Sequence, residues 1–573
     1  MPASLTDASG AELDLDLHVI SGTLPPLVGH ALTVAAIPNT PDAFAFNGDG
    51  MIYRLDFGGG RVHLRTRLAK TPSYFADQAV RGTDHAFRNA GIVRISPSLG
   101  TCNQANTAFL PMGNRLLVTY DAGRPYEVDP QRLELVTPVG ANSEWTPSLS
   151  STLFPGPLPT YLSTAHPYYD NHTGEVFSVN YAPPMPGSEP FTALLRWDGA
   201  GALEKWRLML PDGKPVQIAQ SIHQIAVTQD YVVVMDTAFV IEPEQIFGGS
   251  KIRPQAPDTA VYLVRRGDLH GAGGEVEARR VVIPREAVHF LADYDNPDHR
   301  ITLYLAHNCA SDASEWLRRD DVLATSKQPV RIDLRGAPSA PMDINVVGRH
   351  VIDARSAQLV GSEHLIDDDF TWGTALYTFR GQAPPGQLPR IYWVSYGFSE
   401  ELLTQRVFEA YQQYKHRRVP ITELPLLGRP TTLFALDTHS MGLADGYRFP
   451  PGRVVGSPQF VPGERGGDDP TTGYIVCTVV SDDTRTRNSS GDEFWVFDAA
   501  DLSQGPLCRL GHPELNLGFT LHTCWMPEIA PRTAEYAVDV HDDYAELLAR
   551  QPDEIQKLFA EQVLPQFARQ ANG

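Results

Sequence analysis

The chain has 573 residues, and its 42% hydrophobic and 20% charged residues are enough for an apolar core and a polar surface. Acidic residues (68) outnumber lysine and arginine (47), and the resulting net charge of −21 opposes binding to nucleic acid or anionic lipid by general electrostatics. We expect a cytoplasmic protein, because no apolar stretch has the length of a membrane helix, the first residues do not resemble a signal peptide, and the five scattered cysteines suggest neither disulfides nor a zinc knuckle.

Most of the chain has the pattern of short strands separated by glycine, proline, asparagine and aspartate turns. Examples in chain order are GRVHLRTRL, RLLVTYD, YVVVMDTAFVI, RITLYLAH, GYIVCTVVS and EFWVFDAADL. This spacing over several hundred residues predicts an all-β protein, either a propeller or a sandwich. No repeat of fixed period is visible, so the pattern does not favour a WD40 or kelch propeller.

Two segments are predicted to be helical. Residues 399–418 begin with Ser399 as a candidate N-cap, carry Glu400 and Glu401 in the first turn and end in basic residues, which suits the helix dipole. Residues 541–570 form the second segment, interrupted by Pro552 and Pro565. We expect both to serve as packing or lid elements without a chemical role.

Four of the 18 histidines share similar surroundings. Each lies at the edge of an apolar segment, whereas most of the others lie in charged or turn-like stretches. These four are His166 in STAHPYYD, His223 in SIHQIAV, His289 in EAVHFLADYD and His522 in GFTLHTCW. One such histidine is usually a hydrogen-bonded structural residue, but a set of four at strand edges is typical of side chains that line a propeller axis.

Nine segments resemble, in this order, those of the carotenoid cleavage oxygenase family. They are SGTLPPLVGH, FAFNGDGMIYRLDF, TRLAKTPSYFAD, NQANTAFLPMGNRLLVTYDAGRPYEVDP, TAHPYYDNHTGE, IHQIAVTQDYVVVMD, VHFLADYD, GSPQFVP and GFTLHTCW. The resemblance spans residues 20–530 or so. It implies a seven-bladed β-propeller with a helical or loop cap over an axial metal site, as one domain over residues 1–573 with a helical extension near residues 540–570.

The resemblance also implies a function and a set of metal ligands. Family members cleave a carbon–carbon double bond of a carotenoid, apocarotenoid or stilbene with O₂ and give two carbonyl products. Their four axial histidines hold one Fe(II), and the matching residues are His166, His223, His289 and His522. His307 in LYLAHNCASD competes for the third position, but HFLADYD resembles the corresponding family segment and His307 does not lie in such a run.

The chemistry of the residues agrees with this resemblance. Neutral imidazole is a suitable ligand for iron, and four such ligands leave coordination positions for O₂. The sequence contains no GxSxG elbow, HExxH helix, P-loop or Rossmann fingerprint that would indicate another reaction.

In the family three glutamates stand behind the histidines, and this chain keeps at best one of them. Asp121 matches the first glutamate, Glu363 is the best candidate for the second with Asp367 as the alternative, and Ser457 matches the third. Aspartate is one methylene shorter than glutamate, so we expect Asp121 to reach His223 only through a backbone shift or a bridging water. Glu363 is expected to orient His289, and Ser457 to leave His522 without an anionic partner.

Two classes of function follow from these residues. The first is a non-haem iron dioxygenase acting on an apolar alkene, and the second is a propeller that has kept its fold for binding with little activity. Stilbene-cleaving relatives carry a lysine directly before the first glutamate, whereas this chain has Tyr120 there. This favours a carotenoid-like alkene over a stilbene-type alkene. Uptake of such a substrate leaves room for peripheral contact with a membrane.

Overall fold

The structure is a computed structural model of the chain. It describes residues 1–150, 155–184, 189–240, 242, 253–381, 384–463, 469–482 and 486–567. Within this part of the chain, no helix is long and apolar enough to cross a membrane.

Strands account for most of the regular structure. The first sixteen are β1 Asp14–Asp16, β2 His18–Gly22, β3 Gly29–Pro38, β4 Gly48–Gly58, β5 Arg61–Leu68, β6 Arg88–Ala90, β7 Val93–Ser96, β8 Gly100–Thr101, β9 Ala108–Met112, β10 Arg115–Thr119, β11 Tyr126–Asp129, β12 Glu134–Pro138, β13 Tyr168–Asp170, β14 Glu175–Ala182, β15 Phe191–Trp197 and β16 Glu204–Met209. The remainder are β17 Ile225–Val227, β18 Tyr231–Asp236, β19 Asp258–Arg265, β20 Gly273–Pro284, β21 Ala287–Ala292, β22 Arg300–His307, β23 Val346–Asp353, β24 Gln358–Leu365, β25 Thr374–Thr378, β26 Arg390–Ser395, β27 Thr432–Asp437, β28 Gly442–Arg448, β29 Val454–Pro462, β30 Gly473–Val480, β31 Glu493–Asp498, β32 Cys508–Gly511 and β33 Thr520–Met526.

Thirty of these strands form the seven blades of a β-propeller, and β6–β8 form a separate three-stranded sheet. Blade 1 has the order β33-β3-β4-β5-β1 from the axis outward, blade 2 contains β9–β12, blade 5 contains β21–β24 and blade 6 contains β25–β28. Blade 7 contains β29–β32 and the early strand β2. Blades 3 (β13–β16) and 4 (β17–β20) share one sheet because their outer strands β16 and β20 pair in parallel. The predicted seven-bladed, all-β propeller is confirmed.

The seven innermost strands make a closed ring. Each contacts the innermost strand of the next blade, in the order β33, β9, β13, β17, β21, β25, β29 and back to β33. Two pairings join distant parts of the chain, since β33 pairs with β3 and β32 pairs with β2, both antiparallel. The axis is therefore surrounded by backbone from all seven blades.

The apolar core lies mainly between neighbouring blades. Val233 and Leu263 of blade 4 belong to the same buried cluster as Phe290 and Leu305 of blade 5. Central strands such as β18 (YVVVMD) are buried along their whole length, because both faces of the blade are covered. The outermost strand β24 (QLVGSEHL) alternates instead and is mostly exposed. Burial on two faces explains why the central strands are nearly continuous apolar runs.

Helices are short and lie outside the blades. They are α1 Pro72–Val80, α2 Gln405–Tyr411, α3 Val540–Ala549 and α4 Asp553–Leu558. The segment predicted as one helix over 399–418 is divided into a 3₁₀ turn at Glu400–Leu402 and α2. Thr404 caps α2 by accepting a hydrogen bond from the Val407 N–H, whereas the Ser399 side chain makes no cap bond. The second predicted segment begins as α3 and α4, and residues 568–570 lie outside the described residues.

Two long segments between strands pack together at one end of the propeller. They are residues 308–345 between β22 and β23, and residues 396–431 between β26 and β27. Met342 of the first segment shares a buried cluster with Phe398, Val407 and Tyr411 of the second. Both segments contribute to the wall of the apolar cavity described below.

Candidate metal centre

The four histidines singled out from the sequence come from the innermost parts of four blades. His166 and His223 lie two residues before β13 and β17, while His289 lies within β21 and His522 within β33. Blades 3, 4, 5 and 1 therefore each present one imidazole to the axis. This arrangement follows from the ring of innermost strands, which brings residues 166 and 522 close together in space.

The side-chain nitrogens of these histidines converge. His166 Nε2 lies 3.1 Å from His522 Nε2, His522 Nε2 lies 3.1 Å from His289 Nε2, and His289 Nε2 lies 3.1 Å from His223 Nε2. One nitrogen from each side chain can be chosen so that all four lie within 4.8 Å of one another. Two imidazoles bound to one metal at right angles and at roughly 2.1 Å would have nitrogens about 3.0 Å apart. The cluster has the dimensions of a metal site.

The protonation of the four imidazoles depends on burial and on the hydrogen-bond partners of each ring. His223 Nδ1 lies 2.8 Å from the Asp121 carboxylate, and in the neutral imidazole this hydrogen bond leaves the lone pair on Nε2. Burial and the neighbouring imidazoles lower the pKa of His289 well below its ordinary value. A hydrogen bond with the backbone of Ala375 acts in the opposite direction but is outweighed. Burial and neighbouring imidazoles likewise lower the pKa of His166 and of His522. Neutral imidazoles whose lone pairs face each other need a cation between them, and the donor set fits one.

Backbone contacts hold two of the histidines in place. The carbonyl oxygen of His223 accepts from the Thr164 hydroxyl at 2.7 Å and from the His166 N–H at 3.2 Å. The His223 N–H donates to the Thr237 hydroxyl at 3.2 Å. Blades 3 and 4 are thus tied together directly behind the imidazoles.

Asp121 contacts His223 directly at 2.8 Å, so of the two expected routes the bridging water is not needed. Asp121 lies two residues beyond the end of β10 and is 8% exposed. Its backbone carbonyl accepts from the Ser163 N–H at 2.8 Å, which fixes the loop close enough for the shorter side chain to reach. An aspartate at this position therefore fills the role for which a glutamate was expected.

Glu363 does not lie beside His289, which corrects the sequence-based expectation. Its carboxylate pairs with Arg349 across β23 and β24, and its side chain is 55% exposed. The alternative, Asp367, accepts from the N–H groups of Asp369 and Phe370 in a turn. The group behind His289 is instead the backbone of Ala375 in β25. Glu363 belongs to the outermost strand of blade 5, far in the blade order from the innermost strand β21.

Ser457 acts on the backbone before His522. Its buried hydroxyl donates to the carbonyl oxygen of Leu521, and Ser457 is 1% exposed. The serine supports the strand that carries the fourth imidazole without supplying an anion. Asp121, Ala375 and Ser457 belong to blades 2, 6 and 7, so each blade that lacks an axial histidine places one residue behind the cluster.

His307 lies outside the cluster and has a different environment. Its Nε2 is 2.9 Å from His350 Nε2, and His350 Nδ1 is 2.9 Å from the Ser362 hydroxyl. Gly348 makes room for this pair, because a Cβ there would lie 2.5 Å from His350 Nε2. His307 therefore has a partner inside blade 5, whereas His289 is the member of the four-histidine cluster.

Gln224 is a further residue at the centre that the sequence analysis did not identify. Its side-chain amide donates to the Phe290 carbonyl at 2.6 Å and accepts from the Phe290 N–H at 3.1 Å. The same amide donates to the Tyr377 hydroxyl at 2.8 Å. Since Gln224 follows His223 and Phe290 follows His289, this side chain joins the two strands that carry adjacent imidazoles.

The retinal pigment epithelial membrane protein family model matches residues 8–527. The chain belongs to this family, the carotenoid oxygenases. Arabidopsis thaliana "Probable carotenoid cleavage dioxygenase 4, chloroplastic" is 24% identical over 60% of this chain and 57% of its own length. Aspergillus fumigatus "Resveratrol cleavage oxygenase 1" is 27% identical over 38% of this chain and 40% of its own length. The chain thus matches about half the length of these relatives.

Solved structures of carotenoid oxygenases share the propeller. The Synechocystis apocarotenoid oxygenase variant Glu150Gln has a TM-score of 0.63, covers 91% of this chain and 98% of its own, and is 18% identical. Pseudomonas brassicacearum lignostilbene dioxygenase has a TM-score of 0.64, covers 92% of this chain and 98% of its own, and is 19% identical. At these identities the likeness supports the fold.

An apolar cavity opens onto the histidine cluster. It has a volume of about 1310 Å³, including its open mouth, and His223, His289 and His522 form part of its wall. The rest of the wall is mainly apolar and includes Phe46, Phe239, Val288, Leu376, Val454 and Phe519. Residues of the segments 308–345 and 396–431 also belong to its wall. A cavity of this size and lining is suited to an extended apolar ligand.

A second, more polar cavity lies against His166 and His522. It has a volume of about 1150 Å³, and its wall includes His166, His522, Gln224, Tyr377 and Gln459. His522 is common to both cavities. The histidine cluster therefore lies between an apolar chamber and a polar one.

Proposed function

We propose that this chain is a non-haem iron dioxygenase that cleaves a carbon–carbon double bond of an apolar alkene with O₂ and releases two carbonyl products. His166, His223, His289 and His522 hold the Fe(II) through Nε2. The observation that carries the proposal is the convergence of four Nε2 atoms, three pairs of which are 3.1 Å apart, at the wall of an apolar cavity.

The roles of the residues follow from their contacts. When bound, ferrous iron supplies the redox chemistry with dioxygen that no side chain here can provide. Asp121 accepts a hydrogen bond from His223 Nδ1–H and keeps the Nε2 lone pair directed inward. Phe239 and Phe519 hold the alkene against the imidazoles and exclude water, which protects reactive species from side reactions. Cleavage of an alkene with O₂ needs little proton transfer, so a general acid–base pair is not required at this wall.

The substrate we favour is a carotenoid, apocarotenoid or similar apolar alkene. Tyr120 stands where stilbene-cleaving relatives have a lysine, and its hydroxyl donates to the Ile92 carbonyl at 3.1 Å. This hydroxyl is therefore engaged within the protein and does not replace a phenol-binding ammonium. A stilbene-type alkene is the alternative, and the likeness to a resveratrol cleavage oxygenase supports it.

Metal analysis and product analysis test this function together. The metal-free protein is reconstituted with Fe(II) under nitrogen, and we expect about one iron per chain. Incubation of the loaded protein with apocarotenals or with resveratrol-like stilbenes under ¹⁸O₂ should give carbonyl products that carry the label. His289→Ala serves as the inactive control. Stoichiometric iron with no labelled product from either substrate class would contradict the enzyme and favour a propeller with a binding function.

We also propose that the protein works in the cytoplasm. All five cysteines are free and buried, and Cys477 and Cys508, which share a sheet, are separated by the strand β31. Free thiols throughout a chain are typical of a reducing compartment. Alkylation of the unfolded protein purified without reductant should modify all five cysteines, and a mixture of disulfide-bonded species would contradict this location.

A further inference from the structure

A groove between blades 4 and 5 contains three arginines and lies apart from the metal centre. Arg265 is the last residue of β19, Arg279 lies in β20, and Arg355 lies in the turn between β23 and β24. The groove has a volume of about 780 Å³, including its open mouth. Its wall also contains His299, directly before β22, whereas residues 308–345 at the apolar cavity follow the other end of that strand. The groove and the apolar cavity therefore lie at opposite ends of blade 5.

The three arginines are accessible and are only partly neutralised by carboxylates. Arg279 pairs with Glu277 at 2.9 Å, and its guanidinium also donates to the Arg355 carbonyl. Arg265 lies 3.9 Å from the Asp268 carboxylate, which is beyond hydrogen-bond distance, and Arg355 forms no ion pair within the described part of the chain. The side chains of Arg265 and Arg279 are 60% and 45% exposed, and Arg355 is exposed as well. A ligand in the groove can therefore reach all three guanidinium groups.

The positive charges of the groove converge near one hydroxyl group. The Tyr231 hydroxyl lies 2.8 Å from His299 Nδ1, and both side chains belong to the wall. Burial raises the pKa of the Tyr231 phenol, whereas the charges of the three arginines act in the opposite direction. Guanidinium groups from two blades thus act on the same part of the groove.

The charge balance of the groove differs from that of the whole chain. Asp268 and Glu277 are the carboxylates of the described wall, so three arginines leave one excess positive charge in a protein whose net charge is −21. A locally positive concave surface attracts anions, although the net charge of the protein opposes them. The groove is therefore suited to a small anion more than to an extended polyanion.

The kind of anion follows from the donors and from the floor of the groove. Guanidinium groups bind carboxylates and phosphates through paired N–H donors. A phosphoryl group presents three acceptor oxygens, whereas a carboxylate presents two, so a phosphoryl group is better matched to three guanidinium groups. Leu263 and Ala354 add apolar surface to the same wall, which an organic substituent of the phosphate can cover.

We propose that the groove between blades 4 and 5 binds a small soluble phosphate monoester through Arg265, Arg279 and Arg355. The site is separate from the four histidines, and the proposal does not depend on the reaction of an alkene. Because Glu277 competes for Arg279, Arg265 and Arg355 supply most of the binding.

Calorimetric titration of the full-length, iron-loaded protein in phosphate-free buffer under nitrogen tests this site. The probes are phenyl phosphate, inorganic phosphate and benzoate, and we expect one phenyl phosphate per chain, bound about 3–10-fold more tightly than either of the others. Arg265→Gln and Arg355→Gln should each weaken this binding by about 3–10-fold, because each removes a charge-assisted hydrogen bond at an exposed position. The double variant should weaken it by about 10–100-fold.

Arg61→Gln is the matched control, because Arg61 is an 80% exposed arginine of blade 1 that lies 3.9 Å from the Asp16 carboxylate. This variant should bind phenyl phosphate as the parent protein does. Absence of phenyl phosphate binding, affinity for benzoate or inorganic phosphate equal to that for phenyl phosphate, or equal weakening by Arg61→Gln and Arg355→Gln would overturn the proposal.

A phosphate monoester can also be the headgroup of a lipid, so a vesicle experiment separates the two sources. The protein is sedimented with phosphatidylcholine vesicles that contain phosphatidic acid, and we expect it to remain in the supernatant while phenyl phosphate binds. Sedimentation that Arg265→Gln and Arg355→Gln abolish, without binding of phenyl phosphate, would assign the groove to a lipid surface and overturn the soluble ligand.

Discussion

The Asp121 carboxylate lies 2.8 Å from His223 Nδ1, and this contact gives the cluster a fixed anionic partner. A charge-assisted hydrogen bond to an imidazole orients the ring and raises its strength as a ligand. His289 has a neutral backbone group behind it, and Ser457 acts on the backbone before His522. The metal affinity should therefore depend more on Asp121 than on any other group behind the imidazoles.

Removing this charge should weaken metal binding. Asp121→Asn keeps the shape of the side chain but loses its charge, and we expect iron affinity to fall by about 10–100-fold. Asp121→Glu adds a methylene at a site that is 8% exposed, so it should retain less iron than the parent despite its charge. Chelator-competition titrations measure both. Tighter binding by Asp121→Glu would show that the aspartate contact is not the preferred geometry.

Glu363→Ala should leave iron affinity unchanged. The Glu363 side chain is 55% exposed and pairs with Arg349, so its removal should cost about 0–1 kcal/mol of stability. The same competition titration, run beside Asp121→Asn, measures the effect. A loss of iron from Glu363→Ala comparable to that of Asp121→Asn would mean that Glu363 reaches His289 after all.

Gln224→Leu should destabilise the centre. The substitution leaves the Phe290 N–H and carbonyl without their side-chain partner in a site where Gln224 is 4% exposed, which should cost about 2–4 kcal/mol. Iron should also dissociate faster, because His223 and His289 lose their shared support. Tyr377→Phe removes one hydrogen bond from the same amide and is the milder control. Thermal unfolding and iron release are the measurements, and equal behaviour of the two variants would refute the role of the Phe290 contacts.

Substitution of His289 and of His307, which both lie in blade 5, should separate metal binding from packing. His289→Ala removes one converging Nε2 and should abolish stoichiometric iron binding. His307→Ala disrupts a fully buried pair with His350 and should lower Tm while keeping the iron. Metal analysis after gel filtration gives the answer directly. Loss of iron from His307→Ala with retention in His289→Ala would reverse the assignment.

Glu286 should make stability depend on pH. Burial raises the pKa of its carboxyl from 4.5 to about 6, although the Tyr414 hydroxyl and the Ala310 N–H donate to it. Because the folded pKa exceeds the unfolded pKa, the stabilising effect of protonation is complete below about pH 4.5 and is lost as the pH rises through about 6.

Glu286→Gln is neutral at every pH and should therefore gain stability relative to the parent on going from pH 4 to pH 7.5. The difference should be about 2 kcal/mol, corresponding to the shift in pKa. Denaturant unfolding of the metal-free proteins at both pH values measures it. A constant difference between parent and variant would show that the carboxyl ionises normally.

The fold and the four histidines were predictable because their signals are local and repeated. Strand patterns separated by turns indicate an all-β protein, and His166, His223, His289 and His522 lie in segments that resemble one family. The seven blades could not be recognised as a sequence repeat. Blades 3 and 4 share a sheet, and blades 1 and 7 each include a strand from the other end of the chain.

The groups behind the histidines were harder to predict. Ala375 acts through its backbone, which cannot be recognised from the side-chain pattern. The sequence therefore pointed to Glu363, a carboxylate eleven residues before the start of β25. Asp121 was identified, but its reach depends on a loop position set by Ser163, a contact between blades 2 and 3. The divided helix near Leu403 likewise reflects tertiary packing that outweighs local propensity.

The pairing of β33 with β3 has a consequence for biosynthesis. A ribosome adds residues 520–526 long after the other six innermost strands have been made, so a nascent chain has three of the cluster histidines and an open ring until that strand emerges. The fourth imidazole and the closing strand arrive together. A metal ion can therefore be bound by all four histidines only after this strand has been translated. Such an ion would link β33, the last strand to be made, to blades 3, 4 and 5, which are made earlier.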